Sequence, residues 1–130
     1  MVFGHTRNGP ASINPKILKG VKMVRSSIRM LIPLEKESEA LEILCSISEQ
    51  IRFETGCLSC RVYRGVDEEH TIMFEQFWAN ADYALNHLRS EIYRNILLVI
   101  EMAKEPPEVR FDVIASSSGL ETIEEARGQS

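Results

Sequence analysis

From residue 24 to 32 the chain alternates, with Val24, Ser26, Ile28, Met30 and Ile32 on one side and Arg25, Ser27, Arg29 and Leu31 on the other. A period of two predicts a half-buried strand, here ended by Pro33. The period then changes. Between about Lys36 and Phe53, Ala40, Leu44, Ile47 and Ile51 recur at helical spacing, flanked by Leu41 and Cys45, while Glu39, Glu42, Glu49 and Arg52 form the wet side. This predicts one amphipathic helix, closed near Gly56, a residue free to take the left-handed conformation that ends helices. Cys57 to Val66 and Thr71 to Trp78 read as strands joined by the polar link Asp67-Glu68-Glu69-His70, short enough for an antiparallel hairpin.

Asn80 is a good N-cap and Asp82 favours the first turn of a helix running to about Arg89. Ser90 with Glu91 repeats the signal for a second helix to about Ala103, so a broken helix pair is expected. Pro106-Pro107 stops it. Val109 to Ala115 alternates again as a last strand, Ser116-Ser117-Ser118-Gly119 turns, and Leu120 to Arg127 has the makings of one short helix.

The resulting order of strand, helix, strand, strand, helix, strand predicts a ferredoxin-like split βαβ fold of the α+β class. Its four-stranded antiparallel sheet has both helical layers on one face. The other face lacks a cover, and if it carried half of each strand's apolar residues it would expose a patch too large for a monomer. Pairing of two sheets in a homodimer is the economical solution. The organisation expected is a basic arm over 1–22, one folded domain over 23–115 and an extension over 116–130.

Composition narrows the partners. The chain has 130 residues, 44% of them hydrophobic, enough for one core, and no apolar run of membrane-spanning length. The most apolar stretch, Ile92 to Met102, is broken by Arg94 and Asn95. Arg7, Lys16, Lys19, Lys22 and Arg25 are met before any acid, so the net charge of −4 understates how acidic the body is. Such a body disfavours nucleic acid. The arm, with Gly4, Asn8-Gly9-Pro10 and Asn14-Pro15, is rich in turn-formers and lacks the apolar centre of a secretory signal, which leaves a cytoplasmic location as the expectation.

Three cysteines, Cys45, Cys57 and Cys60, fit a reducing compartment better than a disulfide framework. Cys57-Leu58-Ser59-Cys60 has redox-motif spacing but opens a strand rather than a helix, with the two thiols expected on opposite faces. Small buried hydrophobes are the expected role. His5, His70 and His87 offer no second ligand pair beside it, so no metal is expected.

Three tracts carry a family resemblance: Glu54-Thr55-Gly56-Cys57-Leu58 at a helix-to-strand junction, Trp78 ending the third strand, and Ala84-Leu85-x-x-Leu88 with His87 on the next helix. Over about Met23 to Ala115 the chain resembles the antibiotic biosynthesis monooxygenase domain family, whose members are dimeric α+β barrels. The motif specifies fold better than reaction. Enzymes of that family hold a pocket between helices and sheet, and the better understood ones oxidise anthrones or quinols with oxygen, without metal or flavin.

The resemblance therefore implies a cofactor-independent monooxygenase acting on a quinol, anthrone or related small aromatic, with no cofactor. Chemistry would begin with deprotonation of an electron-rich phenol whose anion passes an electron to oxygen. It implies His87 and Trp78 as catalytic candidates, with Tyr63, Tyr83, Asn86 and Arg89 as substrate-binding candidates. Each has a structural alternative: Trp78 as a seal at a core edge, His87 in a surface ion pair with Glu91, Arg89 and Arg94 with Glu91 as a solvated helix face, and Tyr63 and Tyr83 as packing residues. Glu54 would cap or pair locally. The haem-degrading branch places a histidine ligand where this chain has Leu97, so no axial ligand is offered. The alternative function is a non-catalytic dimeric module that binds a small apolar ligand or serves in assembly, favoured if Met30, Met73, Phe74 and Met102 fill the interior.

Overall fold

The computed structural model describes residues 22–128; the arm over 1–21, with His5, lies outside the described residues. Four strands and four helices follow in the order β1 (Met23–Leu31), α1 (Leu34–Ile51), β2 (Cys57–Arg64), β3 (Thr71–Trp78), α2 (Ala81–Leu88), α3 (Tyr93–Glu101), β4 (Glu108–Ile114) and α4 (Leu120–Ala126). The strands form one antiparallel sheet in the order β2-β3-β1-β4. This is the ferredoxin-like α+β arrangement.

The alternation in β1 and β3 sends Val24, Ile28 and Met30, with Ile72, Phe74 and Trp78, to the covered face. There they meet Leu44, Ile47 and Ile51 of α1 and Ile96, Val99 and Ile100 of α3 in one apolar cluster. Removing such a side chain from water contributes about 1.5–3 kcal/mol. Ala81 and Ala84 of α2 join the same cluster, which seats that helix against the sheet.

Local chemistry moves several boundaries. β2 stops at Arg64 rather than Val66: the Gly65 amide donates to the Thr71 carbonyl at 2.9 Å as the hairpin closes, and the Glu68 carbonyl lies 2.5 Å from where a Cβ at Gly65 would be. Val66 is left exposed. Asn80 caps α2 as expected, its Oδ1 accepting from the Tyr83 amide at 3.1 Å. Ser90 does not cap α3. Its hydroxyl donates to the His87 carbonyl at 2.6 Å and so closes the end of α2.

Cys57 and Cys60 do not point to opposite faces as their spacing predicts. A register shift between Cys57 and Ser59 leaves Cys57 opposite Trp78 and Cys60 opposite Gln76, two β3 positions on one face. The extra residue of a bulge reverses the alternation, so both thiols turn inward. Cys60 is buried, Cys57 half-buried and Cys45 exposed; all three are free thiols.

The open sheet face mixes apolar and charged residues: Phe77 and Met73 stand on it opposite Arg25 and Arg29. Arg25 lies between Glu75 at 2.8 Å and Asp112 at 3.4 Å, and Arg29 pairs with Glu68. Charged residues at outward positions of β1, β3 and β4 find one another across the ladder. Among the described residues no helix is long and apolar enough to cross a membrane.

Candidate functional site

Where α1 ends, the chain winds through successive turns before entering β2. The amide of Glu54 donates to the Ile51 carbonyl at 2.9 Å and that of Cys57 to the Glu54 carbonyl at 3.1 Å. Gly56 sits at φ +86°, and a Cβ there would lie 2.1 Å from the Tyr83 ring. Only glycine satisfies both the left-handed backbone and the ring packed on it. Its carbonyl accepts from the Ala79 amide at 2.8 Å, which ties the turn to the end of β3. The turn thereby holds the Glu54 side chain over α2.

His87 faces it from α2. The His87 ring is buried, with Nδ1 3.0 Å from Glu54 Oε1 and Nε2 3.2 Å from the Gln76 side-chain nitrogen. Gln76 in turn accepts from the Trp78 indole N–H at 3.1 Å. The imidazole lies tilted against the Trp78 ring with centroids 4.8 Å apart and edge-on to Tyr93 at 5.4 Å. Burial holds the His87 pKa below its ordinary value of 6.5, outweighing the Glu54 carboxylate, which acts in the opposite sense by charge and by hydrogen bond. His87 is therefore neutral at pH 7. Desolvation likewise pushes the Cys60 thiol up to about 12 and raises the Tyr93 hydroxyl.

A cleft of about 530 Å³ opens at this point, lined by Phe53, Glu54, Thr55, Tyr83, Asn86 and His87. Glu54 retains 28% of its side-chain exposure against 1% for His87, so the carboxylate meets solvent and the imidazole stands behind it. A second cleft, about 630 Å³ beside Glu37, Arg64 and His70, has half-buried or exposed walls. Of these two clefts, the Glu54 cleft is the one where a solvent-reached carboxylate meets a buried imidazole. No group of three or more metal-binding side chains converges among the described residues.

Of the six candidates named from the sequence, Tyr83, Asn86 and His87 are brought together in this cleft. Trp78 touches His87 from the core side but is 1% exposed and does not line the opening. Tyr63 lies on the open sheet face, its hydroxyl donating to Glu75 at 3.3 Å. Arg89 is exposed at the end of α2, outside the lining. The proposed His87 pair with Glu91 does not form; Glu91 binds Arg94 at 3.2 Å in solvent, and the partner of His87 is Glu54. Gln76 escaped notice in the sequence. Its signal was a lone amide in the inward series Ile72, Phe74, Gln76, Trp78.

Fold and site together define an α+β domain of the ferredoxin-like kind, with a carboxylate–imidazole pair at the mouth of a cleft. The sequence profile of the antibiotic biosynthesis monooxygenase family matches residues 23–97, and the chain belongs to that family. Solved structures show the same fold. A conserved protein from Methanosarcina mazei Go1 is similar at 21% identity and TM-score 0.66, over 70% of this chain and 91% of that one. A protein from Mycobacterium tuberculosis gives 18% identity and TM-score 0.68, over 75% and 99%. An antibiotic biosynthesis monooxygenase gives 14% and 0.63, over 73% and 99%. No curated protein matches the chain.

Proposed function

We propose that this protein is a cofactor-independent monooxygenase that oxidises a quinol, anthrone or related small aromatic with molecular oxygen, working as a homodimer. The observation that carries the reading is the Glu54 carboxylate, partly exposed in the cleft and backed at 3.0 Å by a buried neutral imidazole. A flat hydroxyarene would lie between Phe53 and Tyr83 with its acidic proton toward Glu54, and Thr55 and Asn86 would offer hydrogen bonds to its oxygens. Glu54 takes that proton as general base, and the electron-rich anion reduces oxygen. For an anthrone the methylene becomes a carbonyl: one atom of O₂ enters the product, the other leaves as water, and the four electrons come from the substrate.

A non-catalytic small-ligand-binding or assembly module is the second reading. It is favoured by the filled interior, where Met30 and Phe74 are each 1% exposed and Met102 packs against the same cluster. Met73, by contrast, faces the open side beside Arg29 and Tyr63. Oxygen uptake by metal-stripped protein on a panel of hydroquinones, dihydroxynaphthalenes and anthrones decides between the two. The oxygenase predicts uptake above the autoxidation blank that falls by about 10²-fold or more in a folded Glu54→Gln variant, the usual scale for losing a general base. Absence of uptake across the panel selects the module.

A further inference from the structure

Three side chains behind the cleft form a directional chain: Trp78 Nε1 to Gln76 Oε1 at 3.1 Å, Gln76 Nε2 to His87 Nε2 at 3.2 Å, and His87 Nδ1 to Glu54 Oε1 at 3.0 Å. An indole N–H can only donate, so whichever end of the Gln76 amide meets it must be the oxygen. The amide NH₂ is thereby turned toward His87. An NH₂ group can only donate, so His87 Nε2 must accept and carries no proton. The remaining ring proton then sits on Nδ1, where it donates to Glu54.

We infer that Gln76 is a positioning residue: oriented by Trp78, it holds His87 as the neutral Nδ1–H form and leaves the Glu54 carboxylate as the proton acceptor of the cleft. All three polar residues of the chain behind Glu54 are buried, Gln76 and His87 at 2% and Trp78 at 1% exposure. An amide flip would set N–H against N–H at the indole and carbonyl against the imidazole lone pair. In a site closed to water neither error has a compensating partner. The inference deepens the proposed function by naming what keeps His87 from competing with Glu54 for the substrate's proton. The hydrogen-bond logic itself does not depend on the reaction.

Glu54 from the turn after α1 and Tyr93 from α3 contact the His87 ring; behind them Cys60 of β2 adjoins Gln76, and Cys57 lies near Glu54, with Arg52 from the end of α1 acting on both thiols. Both thiols and the phenol are held protonated by burial.

The test is ¹⁵N NMR of the imidazole nitrogens in the full chain without substrate, titrated downward from pH 8. The wild type should show one protonated Nδ1 and one unprotonated Nε2 and hold that pattern below pH 6.5. In Gln76→Glu an acceptor replaces the donor, Nε2 gains a proton, and the midpoint should rise by about one to three pH units. Trp78→Phe frees the amide to turn and should move the midpoint in the same direction by less. A wild-type ring protonated on Nε2, or midpoints that stay put in both variants, overturns the inference. Because no substrate is present, that failure is distinct from a failure of the oxygen-uptake test.

Discussion

On the helix-covered face of the sheet, Gln76, Trp78 and His87 meet as uncharged groups in a closed sequence of hydrogen bonds, whereas on the open face Arg25, Glu75 and Asp112 meet as ions. The two sets share strand β3, which sends Gln76 and Trp78 inward and Glu75 outward. Solvent separates them. Burial removes the charge from His87 and makes each donor and acceptor obligatory, so the covered set can hold a proton at a defined atom. The open set keeps its charges because it retains contact with solvent, Arg25 at 26% and Glu75 at 16% side-chain exposure, and ion pairs that water reaches contribute little.

The comparison can be broken first through the packing that keeps the covered face dry. Phe74→Ala should lower stability by about 3–5 kcal/mol in denaturant titration, the usual cost of emptying a buried aromatic site. A loss under about 1 kcal/mol would mean that this face is not packed as described. Gly56→Ala comes next. It forces an unfavourable φ and drives a methyl into the Tyr83 ring 2.1 Å away, so a loss of about 2–4 kcal/mol and a disturbed Glu54–His87 contact should appear together.

The pH dependence sharpens the contrast. The folded His87 pKa lies below the unfolded value of 6.5, so the unfolded chain binds more protons as pH falls past that value. Stability from this group is complete above about pH 7 and is lost as pH falls from 6.5 through the depressed folded pKa. The slope is at most about 1.4 kcal/mol per pH unit. Urea titrations of wild type and His87→Gln across pH 7 to 5 should show that slope in the first and its loss in the second. On the open face, Arg25→Ala should change stability by about 1 kcal/mol or less, with its side chain 26% exposed beside Glu75. A loss matching that of Phe74→Ala would erase the distinction between the faces.

Much of the frame was legible because its periods were long and cleanly flanked. The limits of β3, Thr71–Trp78, follow from alternation between two turn signals, and the inward set of α1 follows from helical spacing. Boundaries failed where a single contact decided them, as at Gly65 and Ser90. Alternation puts Arg25 on the outer side without revealing that Arg25 and Asp112 become cross-strand neighbours, a fact of register between residues far apart in the chain. The site divides the same way. Tyr83, Asn86 and His87 lie on one face of one helix at three- and four-residue spacing, so local reasoning groups them. Glu54 reaches His87 across 33 positions and Gln76 reaches it across 11, and no periodicity encodes either pairing.

The most direct test of the account is anthrone oxidation under ¹⁸O₂ by wild type, Glu54→Gln and Arg25→Ala, each shown to be folded. The quinone product of the wild type and of Arg25→Ala should carry one ¹⁸O atom, with the rate lost in Glu54→Gln. Label entering the product equally fast in Glu54→Gln and wild type would contradict the claim that the covered face, through Glu54, carries the proton chemistry.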